Sequence, residues 1–346
     1  ARNPPLCAST VAVKRREKPY SGNIPRFVAL GSSHSCDKAA NEIDEMLLNN
    51  SVRRAVCVFS LALLGAGSAW GGETLDAIRN TGRMTLGYRE NAIPFSWKTK
   101  SGQVVGYAIE ICQRLAAAVQ EHLKLPRLEV RYVPVTSADR VRSILDKRID
   151  LECGVTTNTP ARRELVALGL TYFYAGARLL VREGEGILSL QDMKNKTLGL
   201  VKGTTGELVM QKHQRQHTDV WKTQLFDSTN DGVTALEQGR IDGILTDDVQ
   251  LLVRARQSSR HLELVGPALS IEPLTLAFSK ADRELGSLVD GEMKRLYRSG
   301  AMQEMYQRWF RSPLPELGYS LDLAPGRLLN DNFQRPSAYV ADWVML

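Results

Sequence analysis

LDKRIDLECGVT (145–156) and LEQGRIDGILTDD (236–248) share one reading. Each is the end of an amphipathic helix, a tight turn, the triplet Arg-Ile-Asp, and a run of strand length. A unit that recurs after about 90 residues points to two similar α/β lobes, although a common turn can also recur by chance. The flanking elements extend the parallel. Ahead of the first copy, Met84–Gly87 and Leu128–Val133 read as strands and Val104–Tyr107 as a short extended piece. Ala108–Leu125 has helical spacing, with Ile111, Leu115, Ala118 and Leu123 on its apolar side, until Pro126 ends it. Ser137–Asp146 is a helix and Asp150–Gly154 a strand. Around the second copy, Thr197–Val201 is a strand, Glu207–His217 and Gly232–Gln238 are helices, and Ile241–Thr246 is a strand. This order predicts parallel sheets with helices on their faces.

Two apolar segments, Ala177–Val181 and Leu274–Phe278, bracket the second unit. If they carry the chain between lobes, the second lobe is an insertion, the first receives both chain ends, and a ligand cleft lies between them. Beyond Lys280 come amphipathic helices at Glu284–Ser299 and ending at Tyr306–Phe310, stopped by Pro313 and Pro315; the tail is expected to be irregular and to run over the surface. The expected organisation is lobe 1 at 70–179 and 275–346, with lobe 2 at 180–274.

The chain has 346 residues and a formal charge of +7, but residues 1–69 hold 9 of the 45 basic and 5 of the 38 acidic side chains. The rest carries 36 against 33, or +3, too mild for a nucleic-acid binder. At Met46 a new text begins, MLLNNSVRRAVCVFSLALLGAGSAWGG, with Arg53 and Arg54 before an apolar run at Ala55–Gly65 and small residues at 66–69. It reads as a secretory leader cleaved near Ala69, too short for a comfortable membrane anchor. Residues 1–45 are then upstream sequence. Cys7, Cys36 and Cys57 go with the removed segments, leaving Cys112 and Cys153. An even pair in an oxidising compartment points to one disulfide, with two separate buried thiols as the alternative.

No metal or cofactor is expected. His213 and His217 stand four apart on a helix, but without HExxH or a third ligand they read as a solvated face. There is no GxSxG, P-loop or GxGxxG. The segment 201–205, Val-Lys-Gly-Thr-Thr, lacks the end of a phosphate loop, yet Gly and Thr opening a helix present N–H groups and hydroxyls to a carboxylate. Arg and Thr residues recur just past strand ends: Arg89 after the first strand, Ser137 and Arg140 after Pro134, and Thr156, Thr157 and Arg162 after the strand of Cys153. Ligands in open α/β sheets bind beyond the carboxyl ends of strands, and guanidinium groups match carboxylates. Several Arg residues suit a ligand with two carboxylates, and Asp247 an ammonium. Taken singly, each Arg is more often a surface charge or structural ion pair; their shared topological position is what weighs.

The motifs GYRENAIPFSW (87–97), VVGYAIEIC (104–112), VTSADR (135–140), LECGVTTNTPARR (151–163), VKGTTGE (201–207), LEQGRIDGILTDD (236–248) and YQRWFRSPLP (306–315) together resemble the periplasmic glutamate/aspartate-binding proteins of ABC importers, from about Leu75 to Pro315. The resemblance implies an α/β, two-lobed type II periplasmic-binding fold, each lobe a mostly parallel sheet with helices on both faces. It implies a monomer that captures glutamate or aspartate in the cleft and delivers it to a membrane permease. Arg89, Arg140 and Ser137 would surround the ligand's side-chain carboxylate. Thr157 and Arg162 would hold the α-carboxylate, assisted by the backbone N–H near Val155. Thr204 and Thr205 would contribute from lobe 2, and Asp247 would take the α-ammonium. Three departures stand out: Val155 replaces a Ser, Thr229 stands where some relatives place a His, and the Cys of the second hinge strand is missing, so Cys112 is the partner left for Cys153.

An enzyme is the competing reading, since the same fold hosts dehydratases resembling cyclohexadienyl dehydratase. It would need an acid or base at the bond broken, and the residues above are almost all binders. A single-chain receptor is disfavoured, with no second membrane span or signalling domain in the sequence.

Overall fold

The computed structural model of the chain describes residues 72–216 and 221–338. The leader read at 46–69, the segment before it and His217 lie outside the described residues, as does the side chain of His213.

Residues 72–175 build the first sheet. Helix α1 (Glu73–Thr81) leads into strand β1 (Arg83–Tyr88), then a small antiparallel sheet of β2 (Asn91–Ala92), β3 (Ser96–Lys98) and β4 (Val104–Val105). There follow α2 (Tyr107–His122), β5 (Glu129–Pro134), α3 (Arg140–Leu145), β6 (Leu151–Thr157), α4 (Pro160–Leu165), β7 (Ala167–Leu168) and β8 (Phe173–Ala175). The second sheet holds β9 (Ala177–Arg182), β10 (Thr197–Val201), α5 (Thr205–Gln216), β11 (Lys222–Phe226), α6 (Thr229–Glu237), β12 (Gly243–Asp247), α7 (Asp248–Gln257) and β13 (Leu262–Val265). Strand β14 (Glu272–Phe278) returns to the first sheet, followed by α8 (Arg283–Arg298), α9 (Ala301–Tyr306), a π turn at Gln307–Arg311 and α10 (Arg327–Gln334).

The strand orders are β5-β1-β6-β14-β7, with β8 also on β14, and β11-β10-β12-β9-β13. Each sheet runs mostly in one direction, with one strand of its main path opposed. β1, β5 and β6 run parallel, as do β10, β11 and β12, while β14 and β9 lie antiparallel beside β6 and β12. The reason is connectivity: helical crossovers set three strands in one direction, and a strand that arrives from the other lobe enters from the cleft end and runs against them. The crossings themselves are at Gly176 and at 266–271. They lie just ahead of the segments 177–181 and 274–278, whose apolar character comes from their place inside sheets; all seven residues of β14 are buried.

The repeated Arg-Ile-Asp does the same work in both halves. Asp150 N donates to Thr85 O and Asp242 N to Thr197 O, at 2.8 and 2.9 Å. Asp150 Oδ2 and Asp242 Oδ2 accept the N–H of those same residues, each at 2.7 Å. Each Asp thus clips the start of the neighbouring parallel strand and sets its register. Ile149 and Ile241 are buried beneath the clip, and each lies against a glycine of that strand, where a Cβ would fall 2.4 Å (Gly87) or 2.5 Å (Gly199) from the Ile Cδ1.

Alternation along the strands buries both faces of each sheet. In β9, Leu179 and Val181 enter one core with Leu198, Leu200, Met210 and Leu245, while Leu180 enters another with Val201, Phe226, Val233 and Leu251. The first sheet packs Met84, Leu86, Leu274 and Leu276 against α2 and α8, under a nest of Phe95, Tyr107, Tyr172, Phe173, Tyr306 and Phe310. Cys112 on α2 and Cys153 on β6 form a disulfide, Cα–Cα 6.1 Å. Within 313–338 the tail is not irregular throughout: α10 buries Leu329 and Phe333, and Asn332 Nδ2 donates to Thr171 O at 2.8 Å. An amphipathic turn that short carries too few periodic positions to be read. No helix among the described residues is long and apolar enough to cross a membrane.

Candidate functional site

Six parallel strands, three from each sheet, turn their carboxyl ends toward one cleft. Past β1 comes Arg89; past β5, Ser137 and Arg140; β6 ends in Val155, Thr156 and Thr157, with Arg162 in α4 beyond. From the other side come Gly203, Thr204 and Thr205 after β10, Thr229 after β11, and Thr246 and Asp247 at the end of β12. Ser137, Arg140, Val155, Thr157 and Arg162 line one pocket together with Thr204, Thr205 and Asp247. Thr229, Thr246 and Gln250 complete its wall. Arg89 lies in the adjoining cavity of about 280 Å3, beside Thr136, Ser228 and again Thr229 and Gln250. It joins the pocket through Ser137, whose Oγ accepts from Arg89 Nη2 at 2.6 Å.

The cleft is shut. Arg140 Nη2 and Arg162 Nη2, both from lobe 1, reach the same lobe 2 carbonyl, Gly203 O, at 3.4 and 3.1 Å. Gly203 holds φ +71°, the left-handed turn that starts α5. Arg162 Nη1 donates to Thr157 O at 2.9 Å, and Arg140 Nη1 to Ser137 O. The space left is about 10 Å3, at the lower limit for one water molecule. Any larger occupant requires the guanidinium contacts to Gly203 to be exchanged for contacts to that occupant.

All three guanidinium groups are buried: Arg89 is 8%, Arg140 2% and Arg162 9% exposed. Burial and then the charge of Arg140 hold Arg162 down to about 9 and Arg89 to about 10. Burial also lowers Arg140. Each remains a cation at neutral pH, in a medium where an anion is bound far more strongly than in water. Arg89 Nη1 and Arg140 Nε are buried with no hydrogen-bond partner among the described residues, and buried donors of this kind ordinarily find one. The arrangement therefore suits an anion with carboxylate-like acceptors.

Carboxylates oppose these cations. Asp247 accepts from Gln250 Nε2 at 2.7 Å; burial, then Glu272 and Asp248, raise it to about 7. Glu152 on β6 is fully buried beside Arg140 and Arg89, and burial raises it despite them. Glu272, the first residue of β14, takes the hydroxyls of Thr157 (2.8 Å) and Thr205 on Oε2 and that of Ser270 (2.8 Å) on Oε1. Thr204 Oγ1 donates to Val201 O and accepts from Glu207 N, so it caps α5. Sequence reasoning missed Glu152, Thr246, Gln250 and Glu272. The two Glu residues had a signal, since each is an acidic residue inside a strand with no exposed position, and charges are almost never fully buried without a partner. Among the described residues no group of three or more His, Cys, Asp or Glu is placed to hold a metal ion.

Residues 84–312 match the family model described as bacterial extracellular solute-binding proteins, family 3. The chain is similar to the glutamate/aspartate import solute-binding protein of Salmonella typhimurium, 29% identical over 273 residues, covering 78% of this chain and 90% of the relative. It is equally similar to the L-glutamate/L-aspartate-binding protein of Pseudomonas aeruginosa, 29% identical over 272 residues, covering 78% and 90%. Its fold is similar to that of the solute receptor for L-cysteine of Neisseria gonorrhoeae, with a TM-score of 0.62 at 24% identity, covering 73% of this chain and 97% of that one. These relatives are binding proteins rather than enzymes. The two-lobed fold, the shut cleft between the lobes and the match over most of the described residues agree: this chain belongs to the bacterial extracellular solute-binding proteins, family 3.

Proposed function

We propose that the protein is exported to the periplasm, its leader removed near Ala69, where it closes on glutamate or aspartate and delivers it to the permease of an ABC importer. The observation that carries this reading is the charge pattern of the cleft. Two buried guanidinium groups, Arg140 and Arg162, face one pocket, a third, Arg89, joins it through Ser137, and one carboxylate, Asp247, is on its wall, which is the complement of a ligand with two carboxylates and one ammonium. Arg162, with the backbone N–H groups near Val155 and at the start of α5, is assigned the α-carboxylate. Arg140 and Arg89, with Ser137 between them, are assigned the side-chain carboxylate, and Asp247 the ammonium. Exchanging Gly203 O for the ligand on Arg140 and Arg162 would couple closure to capture, with the hinge at Gly176 and 266–271. The names of the Salmonella and Pseudomonas relatives support the same ligand class.

Thermal-shift screening of the mature chain against the common amino acids tests the reading, because a ligand bound only to the folded state raises its stability with concentration over Kd. L-glutamate and L-aspartate are expected to give the largest shifts. A larger shift from a neutral or basic amino acid, with none from these two, would overturn the assignment of Arg140 and Arg89.

A further inference from the structure

Glu272 stands where both connections between the lobes meet. It pairs with Ala175, the last residue of β8 before the Gly176 crossing, and directly follows the second crossing. It is 2% exposed and does not line the pocket. Two residues that do line the pocket give Glu272 their hydroxyls, Thr157 from lobe 1 and Thr205 from the first turn of α5 in lobe 2. Ser270 Oγ, held by Ala177 N at 3.1 Å, fixes its other oxygen.

A hydroxyl has one proton to give. Thr157 and Thr205 give theirs to Glu272, so only lone pairs remain on the pocket side. Such oxygens receive an N–H and repel a carboxylate. An α-ammonium has three N–H bonds, and the pocket then offers three acceptors, the Asp247 carboxylate, Thr157 Oγ1 and Thr205 Oγ1. This reverses the part that the resemblance implies for Thr157, at the α-carboxylate, and that the reading of 201–205 gives the Thr205 hydroxyl.

We infer that Glu272 is a positioning residue that fixes the polarity of the Thr157 and Thr205 hydroxyls and so makes the cleft require an α-amine on its ligand. Dicarboxylates that lack the amine are excluded by this device, not by size. The inference rests on the proposed capture of an acidic amino acid.

The test compares L-glutamate with glutarate, the same five-carbon diacid without the amine, by calorimetry on wild type, Glu272→Gln and Thr205→Val. The Gln amide can donate to a threonine oxygen, which frees that hydroxyl's proton for the pocket. Glu272→Gln is expected to weaken L-glutamate at least about tenfold, as for lost hydrogen bonds to a charged group. Glutarate is expected to bind no more weakly than to wild type, so the ratio of the two affinities shrinks. Thr205→Val is expected to shrink it by a smaller factor, and decides the matter if Glu272→Gln does not fold. Equal loss for both ligands would make Glu272 a mere tie between lobes, and no change for either would make it irrelevant; each result overturns the inference. Failure of wild type to bind L-glutamate or L-aspartate overturns the proposed function instead.

Discussion

Capture of an amino acid by this cleft should release protons near neutral pH. In the closed protein Asp247 is pushed up to about 7 by burial and by Glu272 and Asp248, against the pull of Gln250 and Arg140. An ammonium pairs only with the ionised form. Once bound, it returns the carboxylate toward the ordinary range, so binding at pH 7 releases about half a proton. The ionised fraction falls from about nine-tenths at pH 8 to about one-tenth at pH 6, so L-glutamate should bind about tenfold more weakly at pH 6, about 1.4 kcal/mol. The sign for folding is the opposite. A carboxyl raised in the folded state contributes stability that is fully present below its unfolded value of about 4 and is lost as pH rises through about 7. The ligand's thermal shift should therefore grow over that same window. Calorimetry at pH 6, 7 and 8, in two buffers of different ionisation enthalpy, reads both affinity and proton release. Equal affinity at pH 6 and pH 8, or the same pH dependence in an Asp247→Asn variant that still binds, would refute the reasoning.

Arg162→Ala should leave the melting profile cooperative but cost L-glutamate about 3–5 kcal/mol, the penalty for stranding a buried charge; calorimetry showing unchanged affinity would remove Arg162 from the site. Arg140→Gln should lower the preference for L-glutamate over L-glutamine by about tenfold or more, since one ion pair becomes a neutral hydrogen bond; an unchanged ratio would shift selectivity elsewhere. Replacing both Cys112 and Cys153 by Ala opens a loop with a sequence separation of 41. That should lower stability in urea by about 4 kcal/mol on the chain-entropy account, with ligand affinity preserved, and a loss under about 1 kcal/mol would count against a constraint of that size.

Much of this was legible because the repeated turn encodes a contact. Arg-Ile-Asp marks a place where an Asp must clip the adjacent parallel strand and an Ile must meet its glycine, and the same pair of hydrogen bonds is made at Asp150 and Asp242. The positions past strand ends were readable for a similar reason, since topology alone sends them to one side. Arg89 shows the limit. Its place in the chain announces the cleft, but not that it lies in the adjoining cavity and reaches the pocket only through Ser137. Glu272 went unread because a run such as SIEPLTLAF (270–278) advertises burial; its one acidic residue was overshadowed by its apolar neighbours. The antiparallel placement of β9 and β14 was not legible because strand direction is set by where the chain comes from, which hydropathy does not record.

Gly203 has a use that its turn alone does not explain. With the cleft shut, a Cβ at this position would fall 2.6 Å from Ser137 O and 2.7 Å from Ala138 Cα. Both are backbone atoms of the opposite lobe and cannot swing aside. Position 203 therefore acts as a feeler gauge, whose clearance admits hydrogen and nothing thicker. Even a methyl group there would force the two lobes apart while leaving every pocket-lining side chain chemically unchanged. The proposed grip of the arginines and the completeness of closure are thus separable, the second resting on a residue with no side chain at all.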